Sequence, residues 1–141
     1  MRVLTSKKGF TMLELLMVII VIGILASLAI PQYQSFMEKA RTAEARNVIS
    51  SIKSAQELYF LEHGWYGGVD VINNNYVTFP TSGTLTLWTY AITTPASGAT
   101  NATTYTVRAT RTTKDGGVAT TTGDFTWNRT TGQSTWTGKL A

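Results

Sequence analysis

The chain has 141 residues, no cysteine, one histidine and a formal net charge of +4. That length leaves room for one small domain beyond a terminal segment, and the absence of thiols excludes disulfides, thiol nucleophiles and cysteine-held metals. With His63 the single histidine, histidine-based triads and multi-histidine metal sites are excluded as well, so neither an enzyme nor a cofactor is expected.

The charge is unevenly placed. Arg2, Lys7 and Lys8 precede Gly9, and from Phe10 onward nine basic residues face eight acidic ones, a net of +1. No basic block or basic-aromatic stripe is visible along the chain, so charge lends no support to nucleic-acid binding.

The first predicted element is apolar. Phe10 to Ile30 is a largely hydrophobic run in which Glu14 is the one charged residue, and about 20 helical residues at 1.5 Å each cross a bilayer core. A carboxylate inside such a run is costly and calls for a partner. Ser27-Leu28-Ala29 offers a small-x-small site for a cleaved secretory signal, but the run exceeds the usual apolar core of such signals and Glu14 interrupts it. An ordinary single-pass anchor fits the apolar faces, with Lys7 and Lys8 retained in the cytoplasm and the C-terminus outside. It leaves Glu14 unexplained.

Lys7-Lys8-Gly9-Phe10-Thr11-Met12-Leu13-Glu14-Leu15-Leu16 resembles the prepilin cleavage region shared by type IV pilins and type II secretion pseudopilins. The likeness continues through Val18 to Ala26 and ends on Ala29-Ile30-Pro31; Met12 departs from the commoner Leu or Ile but is apolar and of similar size. The resemblance implies a leader, residues 1–9, cut by a prepilin peptidase between Gly9 and Phe10, followed by N-methylation of Phe10. A positive amine at Phe10 and the carboxylate of Glu14 are each expensive in an apolar bundle and less so as a pair. Their pairing between subunits would set axial register, as buried polar groups do in coiled coils. The simpler expectation for Glu14 is a carboxylate favoured by the dipole at a helix N-terminus.

Helical pattern resumes after Pro31. Ala45, Val48, Ile49, Ile52, Ala55 and Tyr59 recur at three- and four-residue steps, one apolar face, while Glu38/Arg41, Arg41/Glu44 and Lys53/Glu57 are spaced for ion pairs. His63 lies in the last turn and Gly64 stops the helix. One long helix over about residues 10–62 is therefore expected, with 10–30 as a transmembrane and filament-core half and 31–62 as its amphipathic continuation. Pro31 removes a backbone hydrogen bond and Gly23 is a weak helix former, so the stretch between them is the expected place for a kink. The resemblance implies that it melts in a filament.

From residue 63 to 141 an antiparallel β domain is expected. Candidate strands are Tyr76–Phe79, Leu85–Ile92, Thr103–Thr112, Val118–Trp127 and Ser134–Thr137, giving a meander of three to five strands. Turn signals stand at Lys114-Asp115-Gly116-Gly117 and Thr130-Thr131-Gly132-Gln133, and Thr93 to Asn101 reads as a loop. Tyr105, Val107, Phe125, Trp127 and Trp136 should pack on the helix stripe, leaving a threonine-rich face in solvent. Many pilins close their C-terminal region with a disulfide; this chain must do so by packing and hydrogen bonds.

The remaining candidates are weak. Asp70, Asp115 and Asp124 are dispersed and lack calcium-loop spacing. Asn101-Ala102-Thr103 and Asn128-Arg129-Thr130 match the glycosylation pattern, which arises readily in threonine-rich strands. Phe10, Tyr33, Phe36, Tyr59 and Phe60 line the helix and read as packing residues.

The function implied is structural and the fold α+β. The resemblance implies a pilin that waits in the inner membrane with its N-terminus cytoplasmic and its C-terminus periplasmic. An assembly platform and motor then draw it into a helical homopolymer, an extracellular type IV pilus serving adhesion, twitching motility or DNA uptake. A surface or DNA ligand is then expected. The alternatives are a type II secretion pseudopilin and, more remotely, a membrane-tethered binding module using Trp65, Trp88 or Trp136.

Overall fold

A computed structural model describes residues 9–82, 86–94, 103–113, 122–138 and 140. The order of elements is α1 (Met12–His63), α2 (Val69–Asn75), β1 (Trp88–Thr93), β2 (Thr104–Arg111), β3 (Thr122–Asn128) and β4 (Gln133–Gly138). The chain divides into two compact units, residues 1–39 and 40–141. This is the α+β arrangement expected.

In the first unit α1 is long and apolar enough to cross a membrane. Its side chains are almost all exposed, from Leu13 at 77% to Leu28 at 69%. Helix runs through both Gly23 and Pro31. Beside the proline, the Ser27 hydroxyl donates to the Ile24 carbonyl at 2.7 Å.

In the second unit the remainder of α1 carries the apolar stripe into a core. Ala45, Ile49, Ile52, Ala55 and Tyr59 are buried with Tyr66, Trp88, Tyr90, Tyr105, Val107 and Phe125, and Trp127 and Trp136 pack at the margin. The helix ends as expected. Gly64 takes φ 81°, which L side chains avoid, and its N–H donates to the Phe60 carbonyl at 2.8 Å. The His63 ring stacks on Tyr59 with centroids 4.1 Å apart.

Four antiparallel strands follow in the order β1-β2-β3-β4. The register Tyr90↔Ala109 and Val107↔Phe125↔Trp136 aligns the apolar sides of all four. On the opposite face Thr93↔Thr106↔Thr126↔Thr135 form one row across the sheet, and Arg108 grips Asp124 with two bonds of 2.9 and 3.0 Å. That fork holds the Asp124 carboxyl below the usual carboxylate range. The turn at 130–133 is present: Asn128 Oδ1 accepts from Thr130 N and Thr131 N at 2.9 and 3.3 Å, and Gly132 takes φ 65°. The Lys114–Gly117 turn, most of the 93–101 loop, Leu85 and residues 118–121 lie outside the described residues.

Two expectations are corrected. Tyr76–Phe79 is not a strand. The preceding segment forms α2 instead, whose end is tied by Tyr76 N and Val77 N to the Ile72 carbonyl at 3.1 Å each, while Phe79 N donates to Asn73 Oδ1 at 2.7 Å. Backbone groups that a ladder would have used are thus satisfied locally. The Lys53/Glu57 spacing is also put to other uses. Glu57 accepts from Arg129 at 2.6 Å and from the Tyr66 hydroxyl at 2.8 Å, and Lys53 Nζ sits 4.1 Å from the centroid of the Trp127 ring.

The closing contact of the domain is noncovalent. Leu140 is fully buried and its carbonyl accepts from Arg46 Nε and Nη2 at 3.1 and 2.6 Å. Gly138, at φ 68°, turns the chain so tightly that a Cβ there would meet the Thr122 carbonyl oxygen at 2.5 Å.

Candidate functional site

The residues expected to be processed lie at the start of α1. Gly9 and Phe10 precede the first helical residue, Met12, and both are exposed, Phe10 to 82%. Glu14 occupies the first turn, also exposed. Gly23 and Pro31 lie farther along the helix, and no Cβ at Gly23 would touch anything within 4 Å among the described residues.

The structure brings together a pair that the sequence reading did not. Thr11 Oγ1 accepts from the Glu14 backbone N–H at 3.2 Å and reaches the Glu14 carboxylate Oε2 at 3.5 Å. A hydroxyl can accept and donate at once, so one side chain caps an orphan amide and faces the carboxylate. The signal was readable: Thr11-Met12-Leu13-Glu14 is a T-x-x-E capping box. Within a single chain the Glu14 carboxylate thus has a local partner at the positive end of the helix dipole.

In the globular unit Trp65, Trp88 and Trp136 do not form one patch. Trp88 is 2% exposed and its Nε1 donates to the Arg41 carbonyl at 3.0 Å, while Trp65 is 37% exposed and meets the His63 ring edge-on. Asn128 spends its amide oxygen on its own turn, and Asn101 lies outside the described residues. Among the described residues no group of three His, Asp or Glu side chains could hold a metal ion; Asp115 lies outside them.

The fold brings three basic side chains from distant segments against aromatic rings. Arg46 Cζ lies 5.6 Å from the Trp136 ring centroid, Lys53 Nζ 4.1 Å from that of Trp127, and Arg129 Cζ 4.1 Å from that of Phe60. The helix contributes positions 46, 53 and 60, the sheet positions 136 and 127, and the turn between β3 and β4 position 129. No linear window contains both members of a pair, which is why the sequence alone does not display it.

Burial and bonding also set the tyrosines apart. Burial pushes the hydroxyls of Tyr90 and Tyr105 well above the ordinary range. Tyr66 is raised by burial and by its bond to Glu57, and Tyr76 is pushed up to about 12 chiefly by donating to the Glu62 carboxylate.

Comparison with known proteins covers both units. The family described as "Prokaryotic N-terminal methylation motif" matches residues 4–30. A fimbrial protein of Neisseria meningitidis serogroup B is 44% identical over 64 residues, 45% of this chain and 38% of the relative. The type IV major pilin protein PilE1 of Neisseria gonorrhoeae is 45% identical over 60 residues, 43% of this chain and 36% of the relative. A fimbrial protein of Pseudomonas aeruginosa is 44% identical over 57 residues, 40% of this chain and 37% of the relative. These matches therefore span less than two fifths of each relative's length. No solved structure matches the chain. The family described as "Type IV minor pilin ComP, DNA uptake sequence receptor" matches residues 31–126. That match takes in more than half of the chain, which therefore belongs to this family of type IV pilins.

Proposed function

We propose that the chain is the precursor of a type IV pilus subunit that takes part in DNA uptake. A prepilin peptidase cuts between Gly9 and Phe10, the new Phe10 amine is methylated, and the subunit is held in the inner membrane by α1, with its C-terminus in the periplasm, until an assembly platform and motor extract it. The observation that carries this reading is the unburied apolar length of α1 between Met12 and Ile30. Such a surface requires lipid or other subunits around it. Covering about 20 apolar side chains is worth roughly 1.5–3 kcal/mol each against water, but less against lipid, where no hydrophobic force separates the two environments. Extraction therefore needs work from a motor.

Glu14 changes partner in this scheme. Before assembly its carboxylate is held near Thr11; in the filament it meets the Phe10 amine of a neighbour, a charge pair in an apolar bundle. The continuous helix through Gly23–Pro31 belongs to the single chain, and melting of that stretch is proposed as an event of assembly. The DNA role rests on membership of a family described as a DNA uptake sequence receptor.

The test is electron microscopy of sheared surface fibres with mass spectrometry of their N-terminus. Long fibres of this chain beginning at methylated Phe10 are expected, with few or none from Glu14→Gln. An intact leader in the fibres would overturn the processing. Short structures confined to the periplasm would place the chain among the pseudopilins, and normal fibres from Glu14→Gln would remove the pairing. A fibre map with unbroken helix from Gly23 to Pro31 would remove the melting.

A further inference from the structure

We infer that the outer edge of β4 is a docking edge for a second copy of this chain, which pairs with it β4 to β4, antiparallel, across a two-fold axis at Thr135. The inference goes beyond the fibre itself and does not rest on the DNA role.

The directions of the backbone groups follow from two bonds. Facing residues in an antiparallel ladder alternate between bonded and non-bonded pairs. Arg129 N donates to the Thr103 carbonyl at 2.8 Å, one step beyond Asn128↔Thr104. Phe125 and Trp127 therefore bond to β2, and Asp124, Thr126 and Asn128 to β4, where they meet Thr137, Thr135 and Gln133. The N–H and C=O groups of Ser134 and Trp136 are left pointing away from the sheet. The opposite edge is closed. There Thr112 N donates to the Leu87 carbonyl at 3.0 Å, the same alternation turns Tyr90 outward, and its N–H is taken by the Pro80 carbonyl at 2.8 Å. No such cover lies on β4 among the described residues. Beyond Gly138 the chain turns inward, and Leu140 is buried against Gly123.

Edge strands are usually blunted by charge, proline or a bulge. Gln133–Gly138 has no charged residue and no proline, and its register with β3 runs without a bulge. An uncharged edge of this kind matches itself. With the axis at Thr135, each outward Ser134 meets Trp136 of its mate, for about four backbone hydrogen bonds, and Thr135 meets Thr135. The row Thr93↔Thr106↔Thr126↔Thr135 then runs on through the same row of the mate. Thr106 and Thr126 already join hydroxyls at 3.0 Å across their strands, as threonines on neighbouring strands do. Registers centred on Ser134 or Trp136 instead bring Gly132 or Gly138 into the ladder, both turned to positive φ.

Such a contact is isologous and closes on itself, whereas the repeat of a fibre is head-to-tail. It therefore joins free subunits, or subunits of two neighbouring fibres. Six residues a side bury far less than a stable dimer needs, and repetition along fibres supplies the missing strength. Arg46, over Trp136, is the cation nearest the seam and approaches its mate, so salt screens a repulsion there.

The experiment is cysteine trapping with the full chain in neutral detergent, micelles in excess over chains, under mild oxidation and read by non-reducing electrophoresis. The chain has no cysteine of its own. Thr135→Cys places the two substituted positions about 4.5 Å apart at Cα, within disulfide reach. It should run as a linked dimer, more so at high salt. Thr137→Cys, exposed on the same face of the same strand, lies about 14 Å from its mate and should stay monomeric. Added to Thr135→Cys, Ser134→Pro removes an outward donor at an edge that tolerates proline and should abolish the link, while Ser134→Ala should keep it. Circular dichroism melting of each variant verifies folding. No link at 135, equal links at 135 and 137, a link that survives in folded Ser134→Pro, or a yield that falls with salt would each overturn the β4–β4 contact. Free chains are tested, so that contact can fail while the fibre reading stands.

Discussion

The hydroxyl of Thr11 stands between the two polar ends of Glu14, 3.2 Å from its backbone nitrogen and 3.5 Å from its carboxylate. The residue proposed to act in assembly is thereby built into the start of its own helix. Holding Glu14 locally lowers the cost of keeping a carboxylate in an apolar segment before a partner arrives. On the proposed pairing, the same contact would have to be given up, or shared, as a neighbour's amine approaches.

Replacing Thr11 by Val keeps the shape and removes the hydroxyl. Loss of an N-cap costs about 1 kcal/mol, so hydrogen exchange at the Glu14 amide should quicken severalfold in micelles, with the amides beyond the first turn unaffected. Thr11→Ser should exchange like the parent. Equal exchange in all three proteins would show that the cap contributes nothing.

Gln56 and Gly67 form a second two-way contact, buried in the globular unit. Gln56 Nε2 donates to the Gly67 carbonyl at 2.7 Å, and Gly67 N donates to Gln56 Oε1 at 2.9 Å. A side-chain amide thus does for one glycine what a neighbouring strand would do. Gly67 lies so close to Tyr59 and Ile72, 3.1 Å from a would-be Cβ, that there is little room for anything else. Gln56→Leu preserves bulk but strands a buried donor and a buried acceptor, each costing about 1–3 kcal/mol. The urea midpoint should fall with an unchanged m-value. A midpoint within experimental scatter of the parent would mean that water replaces the amide.

Much of this molecule could be read in advance, and the boundary falls on distance along the chain. The N-terminal methylation motif, the helix stripe from Ala45 to Tyr59 and its stop at Gly64 are patterns within short windows, where local spacing, period and capping chemistry suffice. Strands β2, β3 and β4 were visible for the same reason. Gln56 carried no signal in the sequence, because its partner is a glycine 11 residues on. Leu140 carried no signal either, since the Arg46 side chain that holds its carbonyl is 94 positions away. The cation–ring pairs joined residues from α1 to residues of β3, β4 and their turn, and no count of basic residues shows that. Helix α2 was missed because Val69–Asn75 is short and asparagine-rich, so propensity gave no helix.

Alkaline stability follows from the tyrosines. Tyr66, Tyr76, Tyr90 and Tyr105 all have folded-state values raised above the ordinary 10.0. A group whose folded value is raised contributes stability that is fully present below its unfolded value and lost as pH rises through the folded one. The unfolded chain releases these protons near pH 10 while the folded chain keeps them, so stability should fall steadily from about pH 10 to 12. Thermal melts across that range should show the decline. Tyr105→Phe should flatten it, and should also be neutral or stabilising at pH 7, because the buried Tyr105 hydroxyl has no hydrogen-bond partner among the described residues. A profile as steep as the parent's would mean that Tyr105 ionises as freely folded as unfolded.

The strongest test of the closing contact is a double-mutant cycle at Gly123 and Leu140. A Cβ on Gly123 would lie 2.3 Å from Leu140 Cγ, closer than atoms can approach, so the leucine occupies the space that the glycine leaves. Gly123→Ala alone should overpack the site at a cost of about 1–3 kcal/mol. Leu140→Ala alone should open a cavity at a cost of about 2–5 kcal/mol. Together the new methyl enters the vacated space, and the pair should cost clearly less than the sum of the two singles, a coupling in the range of about 0.5–3 kcal/mol seen for residues in contact. Arg46→Ala, which releases the Leu140 carbonyl but leaves the space unchanged, should destabilise the parent yet add little to Leu140→Ala, since the strap has no plug left to hold. Strict additivity at Gly123 and Leu140 in urea unfolding would show that the C-terminal residues lie elsewhere in solution, and that the sheet closes without them.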